Sequence, residues 1–266
     1  MASSPIVAAL APLSLDPGRP RLTWYGPDGE RIELSGAVLL NWITKCTNML
    51  VEELDVEPGT RVLLDLPVHW RAAVWALGAW CAGAEVSVGS DPDDTVAVPA
   101  PEVVLTHRPA AWAGRVPLVA AVALPGLARR WDGAEPLPAG VVDAAAAVMS
   151  FGDQIGYLPP VSDDEQALRA VGSGADGDDA AESRVTYGEL LAWAAATGHV
   201  AGARTLVTTG ASADQATPAP LATALQECLG AWAADASVVL SGADHSARLR
   251  EDPALRARLV TQEQIG

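Results

Sequence analysis

LDVEPGTRVLLDLPVHWRAAVWALGAWCAGAEVSV, residues 54–88, carries the fold. Glu57-Pro58-Gly59 is a turn signal. RVLLDL, residues 61–66, is a short apolar run bounded by that turn and by Pro67, as a buried strand requires. Val68 to Ala82 is rich in helix formers and predicts a helix, and Glu85 to Val88 predicts a second strand. Strand, helix and strand within about thirty residues form a βαβ unit with parallel strands and a right-handed crossover.

Upstream, Arg21 to Tyr25 and Arg31 to Leu34 read as two short strands. Pro27-Asp28-Gly29 between them is a hairpin turn. Ser35 then caps a helix whose apolar positions Val38, Leu39, Trp42, Ile43, Cys46, Met49 and Leu50 recur at spacings of three and four. Downstream, strands are expected at 103–106, 117–122, 167–171, 204–208 and 237–240. Helices are expected at 141–149, 186–197 and 218–234, with helical turns at 243–250 and 253–258. This alternation predicts an α/β fold.

The two halves echo each other. Leu39-Leu40-Asn41-Trp42 is similar to Leu190-Leu191-Ala192-Trp193, Gly59-Thr60-Arg61-Val62-Leu63 to Gly202-Ala203-Arg204-Thr205-Leu206, and Gly78-Ala79-Trp80 to Gly230-Ala231-Trp232. The expectation is one three-layer α/β unit over residues 1–266, made of two pseudo-repeated βαβ lobes, about 1–165 and 166–266. A cleft is expected where strand order reverses.

Bulk composition narrows the function. The 266 residues carry a net charge of −16, so nucleic acid and anionic membranes are not expected as partners. No apolar run reaches membrane-spanning length, and Met1 to Leu15 lacks the basic start of a secretory signal, which points to the cytoplasm. Cys46, Cys81 and Cys228 fit neither a disulfide framework nor a zinc site, and His69, His107, His199 and His245 show no ligand spacing, so no metal is expected. Sixteen of the 17 basic residues are arginine, and Lys45 is the one lysine. Lys45, in the first helix, is expected to be solvent-exposed or snorkelling and not catalytic. His69 and Trp70, after strand 61–66, and His107, after strand 103–106, occupy strand-to-helix corners that line clefts in α/β proteins. Trp42, Trp75, Trp80, Trp193 and Trp232 are expected in the core.

Residues 32–88 resemble the start of the AMP-forming acyl-activating enzymes, a family that includes acyl-CoA synthetases, luciferases and peptide-synthetase adenylation domains. The carriers are the helix from Ser35, LDVEPGTRVLLDLPVHW (54–70) and WALGAWCAGAEVSVGS (75–90). Thr60 stands where the family has an acidic residue. Residues 163–240 resemble the part of that fold around its phosphate loop. The chain is also similar to a small actinobacterial family of stand-alone proteins with no assigned activity.

The resemblance implies a fold like the N-terminal domain of those enzymes and places their phosphate loop at Gly172, Ser173, Gly174, Asp176 and Gly177. The family loop ends in Pro-Lys-Gly. Here Asp178, Asp179 and Ala180 follow, so three aspartates occupy four positions. Each unit charge about 4 Å from a phosphate costs on the order of 1 to 4 kcal/mol. GSGADG also matches the GxGxxG dinucleotide pattern, but the acidic partner expected about twenty residues on is missing. After strand 204–208 the family's aromatic or histidine is replaced by Thr209-Gly210-Ala211. Its adenine and ribose motifs and its C-terminal domain with the catalytic lysine would lie beyond Gly266. The resulting expectation is a pseudoenzyme with no catalytic residue and no cofactor. It would bind a protein partner, a second copy of itself or a small acyl-like ligand. The alternative is a nucleotide- or acyl-binding enzyme with a modified site, or one completed by a partner chain.

Overall fold

The computed structural model describes residues 5–88, 100–156, 158–171, 182–209 and 220–266. The expected hairpin forms: β1 (Pro20–Tyr25) pairs antiparallel with β2 (Arg31–Ser35). Ser35 caps α2 (Gly36–Glu52), its hydroxyl accepting from the Val38 amide. The βαβ unit follows as β3 (Arg61–Asp65), α3 (Trp70–Cys81) and β4 (Glu85–Val88), with β3 and β4 parallel. A short α1 (Pro5–Ala9) precedes them.

Next come β5 (Val103–Thr106), α4 (Pro109–Trp112), β6 (Leu118–Ala121), β7 (Val142–Asp143) and α5 (Ala144–Ala147). The helix expected over 141–149 is thus divided. Val142 and Asp143 pair with Ala120 and Ala121 as an edge strand, and the Asp143 carboxylate then accepts from the Ala146 amide to start α5.

The second half runs β8 (Gln166–Val171), β9 (Glu182–Thr186), α6 (Tyr187–Ala195), β10 (Arg204–Val207), α7 (Pro220–Ala233), β11 (Ser237–Ser241), α8 (Ala243–Glu251) and α9 (Pro253–Gln262). Strand β9, not expected from the sequence, ends at Thr186, the expected start of the following helix, and pairs antiparallel with β8.

Two sheets result, in the orders β10-β11-β1-β2 and β7-β6-β5-β3-β4-β8-β9. The first repeat is β1-β2-α2-β3-α3-β4 and the second is β8-β9-α6-β10-α7-β11. Each donates its hairpin to the other's sheet: β1 lies parallel beside β11, and β8 lies parallel beside β4. The two repeats therefore share both sheets.

Hydrogen bonds repeat with the chain. Trp80 Nε1 donates to the Ala167 carbonyl at 2.7 Å, and Trp232 Nε1 to the Arg21 carbonyl at 3.0 Å. The Gly59 amide bonds the Gly83 carbonyl at 3.0 Å, and the Gly202 amide bonds the Asp235 carbonyl at 3.1 Å.

The core follows strand alternation. Val62, Leu64, Val103 and Leu105 face the main cluster, together with Leu39, Ile43, Leu77, Trp80, Leu225 and Trp232 from the helices. Leu63, Val104 and Val119 face the opposite side, under Trp112. Trp75, Trp80 and Trp232 are buried, while Trp42 and Trp193 pack on the core's edge. Helices α3 and α7 pack against each other, α3 on β3 and β4 and α7 on β10 and β11.

Helix α9 flanks the outer face of the four-stranded sheet. Glu263, just past its end, accepts from Tyr25 Oη at 2.6 Å, Arg31 Nε at 3.0 Å and an Arg204 guanidinium nitrogen at 2.6 Å. No helix among the described residues is long and apolar enough to cross a membrane.

Candidate functional site

A cavity of about 660 Å³ opens where strands of both sheets end. Four segments build it: Trp24 with the β1–β2 turn at 27–30, Pro67 to His69 after β3, Leu124 and Pro125 after β6, and Gly242 to Asp244 after β11. Carboxyl ends of strands are where α/β proteins bind ligands.

Trp24 forms the floor. Its indole N–H donates to a Glu30 carboxylate oxygen at 2.9 Å, and the other Glu30 oxygen accepts from the Gly126 amide at 2.8 Å. Glu30 thereby ties the hairpin turn to the segment after β6. Two glycines let Trp24 sit there. A Cβ at Gly242 would stand 2.7 Å from the ring's Cη2, and one at Gly26 would stand 2.5 Å from a Glu30 oxygen.

His69 caps α3, its Nδ1 accepting from the Arg71 amide at 3.0 Å. The ring also bonds the Leu124 backbone, so both nitrogens are engaged. Its centroid lies 4.5 Å from that of Trp24. Burial, aided by the nearby Arg71 cation, lowers its pKa to about 3. This imidazole is a neutral wall and not a proton shuttle at neutral pH.

Arg71 lies behind the wall. One guanidinium nitrogen donates to the carbonyls of Pro125 at 3.3 Å, Gly126 at 3.2 Å and Ala128 at 3.0 Å. Its Cζ sits 4.6 Å from the Trp70 ring centroid and 5.4 Å from that of Trp42.

Of the three corner residues read from the sequence, His69 enters the cavity wall. Trp70 is buried beside Arg71, and neither it nor His107 is among the lining residues. The His107 ring instead bonds the Asp65 carbonyl at 2.9 Å. Next to it, the Asp65 carboxylate accepts from Thr106, Arg108 and Trp112. Burial opposes its ionisation, and these three donors outweigh burial, so its pKa falls below the usual value.

The glycine-rich positions Gly172, Ser173, Gly174, Asp176 and Gly177 lie outside the described residues. In chain order, their β8–β9 connection is the second repeat's counterpart of the β1–β2 turn at the cavity.

Of the two placements expected for Lys45, the snorkelling one fits. It is 8 % exposed, and its Nζ meets the Phe151 carbonyl at 2.5 Å and the Asp153 carboxylate at 2.6 Å. The loop at 151–154 folds over the helix and buries the stem. Among the described residues, no group of three His, Cys, Asp or Glu could hold a metal ion. All three cysteines are buried and unpaired.

No protein-family profile matches the chain. A "TIGR03089 family protein" of Mycobacterium tuberculosis is 40% identical over 147 residues, a match spanning 54% of this chain and 58% of that protein. Among solved structures, an acyl-CoA synthetase from Brucella canis superposes with a TM-score of 0.68 at 18% identity, over 88% of this chain and 43% of its own. The N-terminal domain of FACL13 from M. tuberculosis gives a TM-score of 0.70 at 14% identity, over 99% and 62%. The NpsA N-terminal subdomain from Klebsiella oxytoca, in complex with 3-hydroxybenzoyl-AMSN, gives 0.67 at 14%, over 99% and 58%. The chain spans less than two thirds of each of these proteins. The chain has the fold of the N-terminal part of acyl-CoA synthetases, as residues 54–88 imply.

Proposed function

We propose that the chain is a non-adenylating relative of the acyl-activating enzymes that binds a small ligand with an apolar, acyl-like body in the cavity. One observation carries this reading. Among the described residues, the cavity wall holds Asp28, Glu30 and Asp244 and no lysine or arginine. Adenylation brings a carboxylate against a triphosphate, and both are anions, so its catalysts place cations at that point. The one lysine is committed to Asp153 and the Phe151 carbonyl. Asp176, Asp178 and Asp179 supply the same unfavourable sign in the glycine-rich stretch. The cavity's volume lies within the range of roughly 300 to 1,000 Å³ usual for small-molecule sites. Trp24, Val68 and Leu124 supply apolar wall.

Thermal unfolding with ATP–Mg²⁺, AMP, coenzyme A and an acyl-sulfamoyl adenosine tests the first half. At 1 mM, a ligand with a Kd of about 10 μM adds about 2.7 kcal/mol of stability. None of the four is expected to do so, and no carboxylate is expected to support ATP–pyrophosphate exchange. An ATP-dependent shift that Ser173→Ala removes would overturn the reading.

A further inference from the structure

We infer that the cavity's occupant carries a positive charge: a small organic ammonium or amine on an apolar body. This rests on the ligand-binding reading above and adds the ligand's charge to it.

The argument begins with the cavity and not with its acids. A space of about 660 Å³ with Trp24, Val68 and Leu124 in its wall offers an apolar body a place to lose water. Among the described residues, the charged side chains lining that space are then all of one sign. Asp28 and Asp244 sit at the exposed rim and make no ion pair among the described residues. Glu30 is half-buried between them and is fixed by the Trp24 and Gly126 N–H groups.

The cations nearby are turned elsewhere. Arg71 is occupied by three carbonyls behind the wall, and Arg31 by Glu33 and Glu263 on the sheet's outer face. His69 has both ring nitrogens in use and offers no free N–H to an anion. The start of α8 would otherwise attract an anion, but Asp244 already occupies its first turn. An anionic ligand would meet three carboxylates, offset among the described residues only by the Arg71 charge behind the wall, which already acts on Glu30. An ammonium would meet three acceptors.

Calorimetric titration with three probes of one shape tests this: 2-phenylethylammonium, 2-phenylethanol and 3-phenylpropanoate. The ammonium is expected to bind at least about tenfold tighter than the other two. The double variant Asp28→Asn, Asp244→Asn, at exposed positions, should weaken the ammonium about tenfold and leave the alcohol unchanged. Ala243→Trp, which fills the mouth, should abolish binding of every probe. If the alcohol or the carboxylate binds as tightly as the ammonium and Ala243→Trp blocks it, the charge inference fails and the ligand-binding reading stands. If probes bind wild type and Ala243→Trp alike, or none binds, both the charge and this cavity are overturned as the site.

Discussion

The Trp80 indole N–H is bonded to the Ala167 carbonyl at 2.7 Å, a contact that joins a helix of the first repeat to a strand of the second. Trp232 makes the reciprocal bond, to Arg21. Both rings are fully buried, so each indole clamps a donated hairpin onto the other repeat's sheet.

Trp80→Phe and Trp232→Phe each keep an aromatic body and leave one buried carbonyl unpaired. Each is expected to cost about 1 to 3 kcal/mol, read from urea midpoints. Because each sheet contains strands of both repeats, unfolding should remain one transition with an unchanged slope. Two separated transitions in either variant would contradict the shared-sheet architecture.

The repeat was legible because its carriers are local: Gly78-Ala79-Trp80 and Gly230-Ala231-Trp232 stand at equivalent points of similar helices. The hairpin exchange was not, because strand partners are chosen by packing between distant segments. Strand β9 escaped notice since Glu182, Ser183 and Arg184 are all exposed and show no apolar alternation. The helix position of Lys45 says nothing of the 151–154 loop that covers its stem. His69 announced its corner by following a strand. Trp24, Glu30, Leu124 and Asp244 come from four remote segments, and no signal in the sequence joins them.

His69 predicts a pH dependence of stability. Its folded pKa is lowered, by burial first and by Arg71 second, to about 3 from 6.5. The unfolded chain therefore takes up a proton that the folded chain refuses. The associated stability is complete above pH about 6.5 and falls by about 1.4 kcal/mol per pH unit as pH drops toward 3. His69→Asn keeps a good helix cap and removes this titration. The difference between wild type and variant in urea midpoint should shift in the variant's favour from pH 7 to pH 5. Parallel pH profiles would show that His69 protonates freely.

Glu263 predicts a dependence at lower pH. Burial opposes its ionisation, but bonds from Arg31, Tyr25 and Arg204 prevail and lower its pKa below 4.5. Its contribution is present above pH about 4.5 and is lost as pH falls through the folded value. The side chain is 3 % exposed, so Glu263→Gln, which keeps the shape and removes the charge, should cost about 2 kcal/mol at pH 7. That cost should shrink toward pH 3. A cost that stays constant with pH would mean that the carboxylate's charge is not what holds Arg31 and Arg204.

Arg71 sets the last expectation, because it holds one side of the cavity. Three carbonyls between Pro125 and Ala128 depend on one guanidinium nitrogen, and burial, the largest influence, lowers the arginine's pKa. Arg71→Leu should cost about 2 to 4 kcal/mol through unpaired carbonyls and lost stacking on Trp42 and Trp70. Arg71→Lys should recover little, since an ammonium lacks the planar surface that lies on Trp70. Hydrogen exchange locates the effect. Amides at 126–128 should exchange faster in both variants, whereas the β3 amides stay protected. Glu30 still holds the Gly126 amide in these variants, so its exchange should rise less than that of Ala128. Equal exchange at all three positions would assign the wall to Glu30 and the strands, with Arg71 serving only the aromatic stack beneath.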